Sequence, residues 1–225
     1  VNIVSMVLTG SKSRDVILIG AAFKAEINPL IEKLSQASFR PTGIDFDYIL
    51  TGSGLERVRC CLAEKVVCQD YLAIINIGTA GVLNDTCPLM SIFYPNRFCT
   101  LSNDHLTSLT LPNDFLESSH FLSTGWKSGT LFSSRKPVTS AAKRWAILQN
   151  SQADVVDMEA FAYADFCQRH KIPFACLKVI TDRADAEVAE NFNANLAESA
   201  QLLAENALIL IDFIQNKFDI KAENG

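Results

Sequence analysis

The chain is expected to fold in the α/β class as a single domain, with a largely parallel sheet covered on both faces by helices and joined by right-handed crossovers. Three observations carry that expectation. Short apolar, β-branched runs recur that suit strands buried on both faces. Segments with apolar residues at helical spacing lie between them, and turns rich in glycine or proline separate the two. With 225 residues, 48% of them hydrophobic and 20% charged, the chain can bury a sizeable core and lies within the range of single α/β units. The domain is expected to span 15–217, with 1–14 and 218–225 as terminal extensions.

Val16-Ile17-Leu18-Ile19-Gly20 predicts the first strand, and Glu26, Leu30, Ile31 and Leu34 mark a helix that ends before Pro41-Thr42-Gly43. A second strand is predicted over 46–50, a turn at Gly52-Ser53-Gly54, and a helix over 55–68 carrying Leu55, Val58, Leu62 and Val66. Ala73-Ile74-Ile75-Asn76-Ile77 predicts a buried strand running into a small-residue turn, Gly78-Thr79-Ala80-Gly81. The stretch 83–126 is less periodic, with a strand-like run at 91–94 and polar loops around Asn103-Asp104 and Pro112-Asn113. Order returns with a strand over 129–132, a helix over 141–148, and Val155-Val156-Asp157-Met158-Glu159 as a strand feeding a helix through Gln168. Pro173 precedes a buried strand over 174–181 that ends at Asp182, and 195–217 predicts a long amphipathic helix.

Composition excludes several function classes. The 20 Lys and Arg against 25 Asp and Glu give a net charge of -5 and a pI near 5.2, with no basic stripe to collect phosphates, so no nucleic-acid partner is expected. No apolar run reaches the roughly 18 residues that span a bilayer, and no membrane partner is expected. The seven cysteines form no C-x-x-C and no pairing with the three histidines, which points to reduced thiols and a cytoplasmic location. Residues 1–10 are apolar but lack the basic start and cleavage site of a signal peptide, and they stand outside the fold expectation.

In sheets of this class the ligand crevice lies beyond the carboxyl ends of the strands. That rule selects Ala22-Phe23 with Glu26, Gly78-Thr79-Ala80-Gly81, the segment 133–138, Met158-Glu159 and Thr181-Asp182. Glu26, Glu159 and Asp182 each sit at or just beyond an apolar strand, where a charge is costly unless it faces a polar cleft or is paired. Taken singly, each has a plainer reading, as an acid favoured at a helix start or as a loop or N-cap residue. Gly78-Thr79-Ala80-Gly81 would let a sugar or phosphate approach the backbone, but it matches neither a dinucleotide fingerprint nor a P-loop. His105, His120 and His170 lack the spacing for a metal or a triad, and no nucleophile elbow is present. Phe192 is a pocket candidate, although an aromatic ahead of an amphipathic helix more often packs in a core.

Taken together, these segments resemble one family. Val155-Val156-Asp157-Met158-Glu159-Ala160 and Leu177-Lys178-Val179-Ile180-Thr181-Asp182-Arg183-Ala184-Asp185 are similar to the paired signature of methylthioadenosine/S-adenosylhomocysteine nucleosidases of the purine nucleoside phosphorylase superfamily. Gly20-Ala21-Ala22-Phe23-Lys24-Ala25-Glu26-Ile27, Gly52-Ser53-Gly54-Leu55-Glu56-Arg57-Val58 and Ile75-Asn76-Ile77-Gly78-Thr79-Ala80-Gly81 resemble its other motifs in the same order. The resemblance implies a three-layer α/β/α sandwich around a central mixed sheet and a homodimer whose partner closes part of the pocket, and a related branch of the family cleaves aminodeoxyfutalosine or futalosine. One departure stands out. Where the family has a small-Gly-Asp-Ala-Phe-Ile type of segment against the base, this chain has Ser133-Ser134-Arg135-Lys136-Pro137-Val138.

By that resemblance the substrate is a small nucleoside and no cofactor or metal is needed. Asp182 would protonate the purine, Glu26 would take a proton from water, and Glu159 would hold the ribose hydroxyls with Met158 against the sugar. Thr79, Ala80 and Gly81 would line the cleft, Phe23 and Phe192 would form the 5′ subsite, and Pro137-Val138 would meet the base edge. Two rivals remain. One is a phosphorylase of the same fold, which a carboxylate at position 26 disfavours because it repels phosphate; the other is a non-catalytic nucleoside-binding protein, which the presence of all three carboxylates disfavours.

Overall fold

A computed structural model of the chain describes residues 15–36, 43–66, 70–84, 87–110, 123–185 and 188–223, with the side chains of 188–194 and 219–223 outside that description. In chain order the elements are β1 (Asp15–Ala21), α1 (Lys24–Ser35), β2 (Ile44–Leu50), α2 (Leu55–Val66), β3 (Ala73–Val82), β4 (Ile92–Ser102) and β5 (His105–Thr110). They continue with β6 (Lys127–Ser133), α3 (Ala141–Ser151), β7 (Val155–Asp157), α4 (Ala160–His170), β8 (Phe174–Asp182) and α5 (Val188–Glu223). The predicted terminal extension 1–14, the turn residues Pro41-Thr42 and the Pro112-Asn113 loop lie outside the described residues.

Among the described residues the strands form one eight-stranded sheet, ordered β2-β1-β3-β7-β6-β4-β5, with β8 pairing both β3 and β4. β1 runs parallel to β2 and β3, β8 parallel to β3, and β6 parallel to β4 and β7. The antiparallel pairs are β3 with β7, β4 with β5 and β4 with β8, so the sheet is mixed and largely parallel. Following the pairings from β3 to β8, β4, β6, β7 and back to β3 closes a ring. The middle of the sheet is therefore strongly curled.

The two-residue period of the strands builds the layers. Ile17 and Ile19 of β1 join one core cluster with Ile27 and Leu30 of α1 and Leu203, Leu210 and Ile214 of α5. Leu18, between them, points the other way into a cluster with Leu55, Val58 and Leu62 of α2 and Ala162, Tyr163 and Cys167 of α4. One strand thus binds a helical layer on each face. A smaller cluster around Phe132, Ile147 and Val156 seats α3.

Some boundaries differ from the sequence expectation. Gly78-Thr79-Ala80-Gly81 is not a turn after a strand; it is the second half of β3, paired with β8 up to a register shift between Ala80 and Gly81. The aperiodic stretch holds β4, whose alternation is broken where Pro95-Asn96-Arg97 interrupts its pairing with β6. The polar loop expected around Asn103-Asp104 is a two-residue turn from β4 into β5, with φ of 48° and 61°, the conformation that tight hairpins favour. β7 stops at Asp157, and Met158-Glu159 form the entry to α4 rather than the end of the strand. α5 starts before position 195 and runs to Glu223.

Candidate active site

A cavity of about 290 Å³ opens at the carboxyl ends of β1, β3, β7 and β8. The structure brings Phe23, Glu26, Thr79, Ala80, Gly81, Pro137, Val138, Met158, Glu159 and Asp182 to its wall, with Asp157, Ser134 and Lys136 beside them. Phe192 falls in the first turns of α5, and its side chain lies outside the described residues.

Glu26 is 3% exposed and occupies the first turn of α1. Its Oε2 accepts the backbone N–H of Phe23 at 2.9 Å, which satisfies one of the free donors at the helix start. Its Oε1 faces β3 and accepts the Thr79 N–H at 3.1 Å and the Thr79 hydroxyl at 3.2 Å. Burial raises the carboxyl above its usual range, against the opposing pull of Lys178 and these hydrogen bonds. The helix-start reading and the cleft reading of Glu26 describe the same residue, since the first turn of α1 is part of the cavity wall.

Glu159 occupies the N-cap of α4 but does not cap it. Its carboxylate, in a residue 7% exposed, turns instead to the N–H of Gly54 at 3.2 Å and of Met158 at 3.3 Å. Gly54 supplies the first of these from a backbone φ of +112°, which side-chain-bearing residues rarely adopt. Burial, then the charges of Asp157 and Glu26, push the Glu159 carboxyl up to about 7 against the pull of Lys178.

The helix cap falls to Asp157, whose Oδ2 accepts the Ala160 N–H at 2.9 Å. The same oxygen meets Lys178 Nζ at 2.9 Å, and both side chains are almost wholly buried. Oδ1 accepts the Ser133 hydroxyl at 2.6 Å, and Ser133 Oγ in turn accepts the Phe161 N–H at 2.9 Å. Burial works to lower the Lys178 pKa, but the negative charge of Asp157 and its neighbours outweighs it and holds the ammonium charged. Neither Asp157 nor Lys178 is a site residue in the sequence reading. The available signal was a lysine in the middle of β8, every residue of which is buried, since such a charge demands a partner.

Asp182 ends β8 at 6% exposure. Its Oδ1 accepts the Ala184 N–H at 2.8 Å and its Oδ2 the Thr181 hydroxyl at 3.0 Å. Burial raises its pKa, opposed by those two hydrogen bonds and aided by the charge of Asp185. Gly81 backs this carboxylate so closely that a Cβ there would collide with Oδ1. Gly81→Ala is therefore expected to displace Asp182 and cut turnover by about 10²-fold, the scale on which small misplacements of reacting groups act. Steady-state kinetics with a melting curve check this, and a variant of normal rate would show that the Asp182 position is unimportant.

Among the described residues, no three His, Cys, Asp or Glu side chains converge to hold a metal ion. A second cavity of about 590 Å³ lies between the β4–β5 hairpin and α3, sharing Ser134 and Lys136 with the first. It holds none of the four buried carboxyl groups among the described residues. All four gather in the smaller space, where Lys136 is the basic lining residue against Glu26, Asp157, Glu159 and Asp182.

Fold and site together define an α/β protein with a small-molecule cleft at the strand ends of a curled mixed sheet, equipped for acid–base chemistry by buried carboxyl groups. Within that class the chain belongs to the phosphorylase superfamily, whose family model matches residues 48–214. It is 28% identical over 219 residues to the 5′-methylthioadenosine/S-adenosylhomocysteine nucleosidase of Buchnera aphidicola subsp. Baizongia pistaciae, covering 85% of this chain and 83% of that one. It is 31% identical over 86 residues to the aminodeoxyfutalosine nucleosidase of Helicobacter pylori, covering 38% of this chain and 37% of the relative. In fold it is similar to the crystal structure of the Helicobacter pylori 5′-methylthioadenosine/S-adenosylhomocysteine nucleosidase with butyl-thio-DADMe-Immucillin-A. That match has a TM-score of 0.81 at 16% identity and covers 89% of this chain and 99% of the other.

Proposed function

We propose that the chain is a purine nucleosidase that hydrolyses the N-glycosidic bond of 5′-modified adenine nucleosides, releasing adenine and the free 5′-substituted ribose. The observation that carries this reading is the convergence of Glu26, Glu159 and Asp182, all buried, on one cavity. The sequence similarity to nucleosidases named for methylthioadenosine, S-adenosylhomocysteine and aminodeoxyfutalosine supports that substrate class.

In this reading Asp182, whose raised pKa keeps a proton available nearer neutral pH, donates to a ring nitrogen of the purine as the bond from that base to C1′ breaks. A water attacks C1′, and its proton passes to Glu26, whose burial strengthens it as a base. Glu159 binds the ribose hydroxyls, and its negative charge favours the cation-like sugar of the transition state. Met158 packs against the sugar, Phe23 lines the 5′ subsite, Pro137-Val138 meet the base edge, and Thr79-Ala80-Gly81 form the floor. A phosphorylase would need basic side chains around the nucleophile, whereas the cavity wall is acidic.

Phe23, 45% exposed at the cavity, and the exposed Leu101 and Leu106 of the β4–β5 hairpin leave apolar surface that a second copy of the chain would cover, in keeping with a homodimer. No helix among the described residues is long and apolar enough to cross a membrane. A cytoplasmic location follows from the reduced-thiol reading of the cysteines, of which Cys99 and Cys176 are buried with their thiols pushed up to about 11 and about 12 by burial.

The test is a side-by-side assay of methylthioadenosine, S-adenosylhomocysteine and aminodeoxyfutalosine with purified protein, following adenine release. At least one is expected to be turned over, and the preferred substrate fixes the 5′ specificity. Binding of all three with no adenine released would replace this reading with a non-catalytic one.

A further inference from the structure

We propose that Asp157 is a positioning residue of this site: by holding Lys178 in a buried ion pair, it limits how strongly that cation acts on Glu26 and Glu159. The inference rests on the nucleosidase reading for its consequence in catalysis, but its premise is geometric. Lys178 Nζ lies 2.9 Å from Asp157 Oδ2, with side-chain exposures of 2% and 0%. The Asp157 carboxylate is itself immobilised by the Ser133 hydroxyl and the Ala160 N–H, so the ammonium is drawn to a fixed point under the start of α4.

The same ammonium lies close to the general base. An added Cβ at Gly78 would sit 3.2 Å from Glu26 Oε1 and 3.3 Å from Lys178 Nζ, so the two groups flank one small space over β3. With Asp157 in place the cation's pull on Glu26 is opposed by a paired negative charge, although it is still felt there. Without it, Lys178 would turn its full charge on Glu26 and Glu159, making Glu26 a weaker proton acceptor and neutralising the charge that Glu159 offers the sugar. The ionisable groups around Lys178 are Glu26 from α1, Asp157 from β7, Glu159 and Tyr163 at the start and in the body of α4, and Cys176 from β8. Of these, Asp157 makes the direct ion pair.

The same residue joins the two halves of the cleft. Its side chain holds Ser133, and its carbonyl accepts the Ser134 N–H at 2.8 Å, so the segment leading to Pro137-Val138 is tied to the strand that delivers Met158 and Glu159.

The experiment is an infrared-detected titration of the carboxyl groups in the substrate-free wild type, in D157N and in the double variant D157N/K178M, with pH profiles of adenine release from methylthioadenosine alongside. In D157N the carboxyl titrations that lie above the ordinary range are expected to move down by about 1–3 pH units, the scale set by an opposite charge at close range. The acid limb of the pH profile should move the same way, with a lower plateau. In the double variant, which also remains informative if D157N does not fold, removal of both charges is expected to return the titrations to within about 1 unit of wild type. Unmoved titrations in D157N, or titrations that stay low in the double variant, would overturn the proposal. Should the wild type release no adenine, the nucleosidase reading fails, while the titrations still decide the role of Asp157.

Discussion

Asp182→Asn is expected to lower turnover by about 10²–10⁴-fold, the range for loss of a general acid, while substrate binding stays largely intact. The amide keeps the shape of the carboxyl group. Its oxygen can still accept a hydrogen bond from the Ala184 N–H or the Thr181 hydroxyl, the two donors now spread over Oδ1 and Oδ2, and its NH₂ can hydrogen-bond a ring nitrogen. What the variant lacks is a transferable proton. A fall in kcat with little change in the dissociation constant of an unreactive substrate analogue is the expected result. Near-normal turnover would remove Asp182 from the chemistry, and loss of binding without loss of kcat would make it a recognition residue.

Glu159→Gln is expected to show a second large effect, with opposite signs in catalysis and stability. The amide retains an acceptor for the ribose but loses the charge, and charge-assisted hydrogen bonds are about twice as strong as neutral ones. Both binding and turnover should suffer. A 2′-deoxy substrate, already poor for the wild type, should lose relatively less in the variant, and equal losses for the two substrates would take Glu159 away from the sugar. The folded-state pKa of Glu159 is raised from 4.5 to about 7, so its ionisation opposes folding. That cost is absent below the unfolded value, grows as pH rises between the two values, and is complete above about 7. The substrate-free variant should therefore melt above the wild type at pH 8 and close to it at pH 4. A lower melting point at pH 8 would mean that the hydrogen bonds from Gly54 and Met158 outweigh the charge.

Much of this arrangement is legible in the amino-acid order because the strands that build the crevice are apolar on both faces. Ile17-Leu18-Ile19, Ile74-Ile75 and Leu177 are almost wholly buried, and such runs end where the sheet meets the cleft, which places Glu26 and Asp182 near each other without any knowledge of contacts. The extent of β3 was hidden because Gly78-Thr79-Ala80-Gly81 has the composition of a turn. Its small residues are needed where Glu26, Lys178 and Asp182 crowd against the strand, and pairing with β8 overrides local preference. β4 was hidden by Pro95-Asn96-Arg97, where its register against β6 slips. The Asp157–Lys178 pair escaped for another reason. A buried lysine shows in the sequence as an anomaly within β8, but its partner lies on a different strand, and long-range pairing leaves no periodic trace.

The most direct test of the central claim is adenine release by the purified wild-type protein in phosphate-free buffer, with products resolved after incubation with methylthioadenosine, S-adenosylhomocysteine or aminodeoxyfutalosine. The carboxylate-lined cavity, with Glu26 as the proposed acceptor of the proton from water, predicts adenine and the free 5′-substituted ribose at a rate that added phosphate does not raise. Adenine formed only when phosphate is supplied, with the sugar recovered as its 1-phosphate, would contradict it.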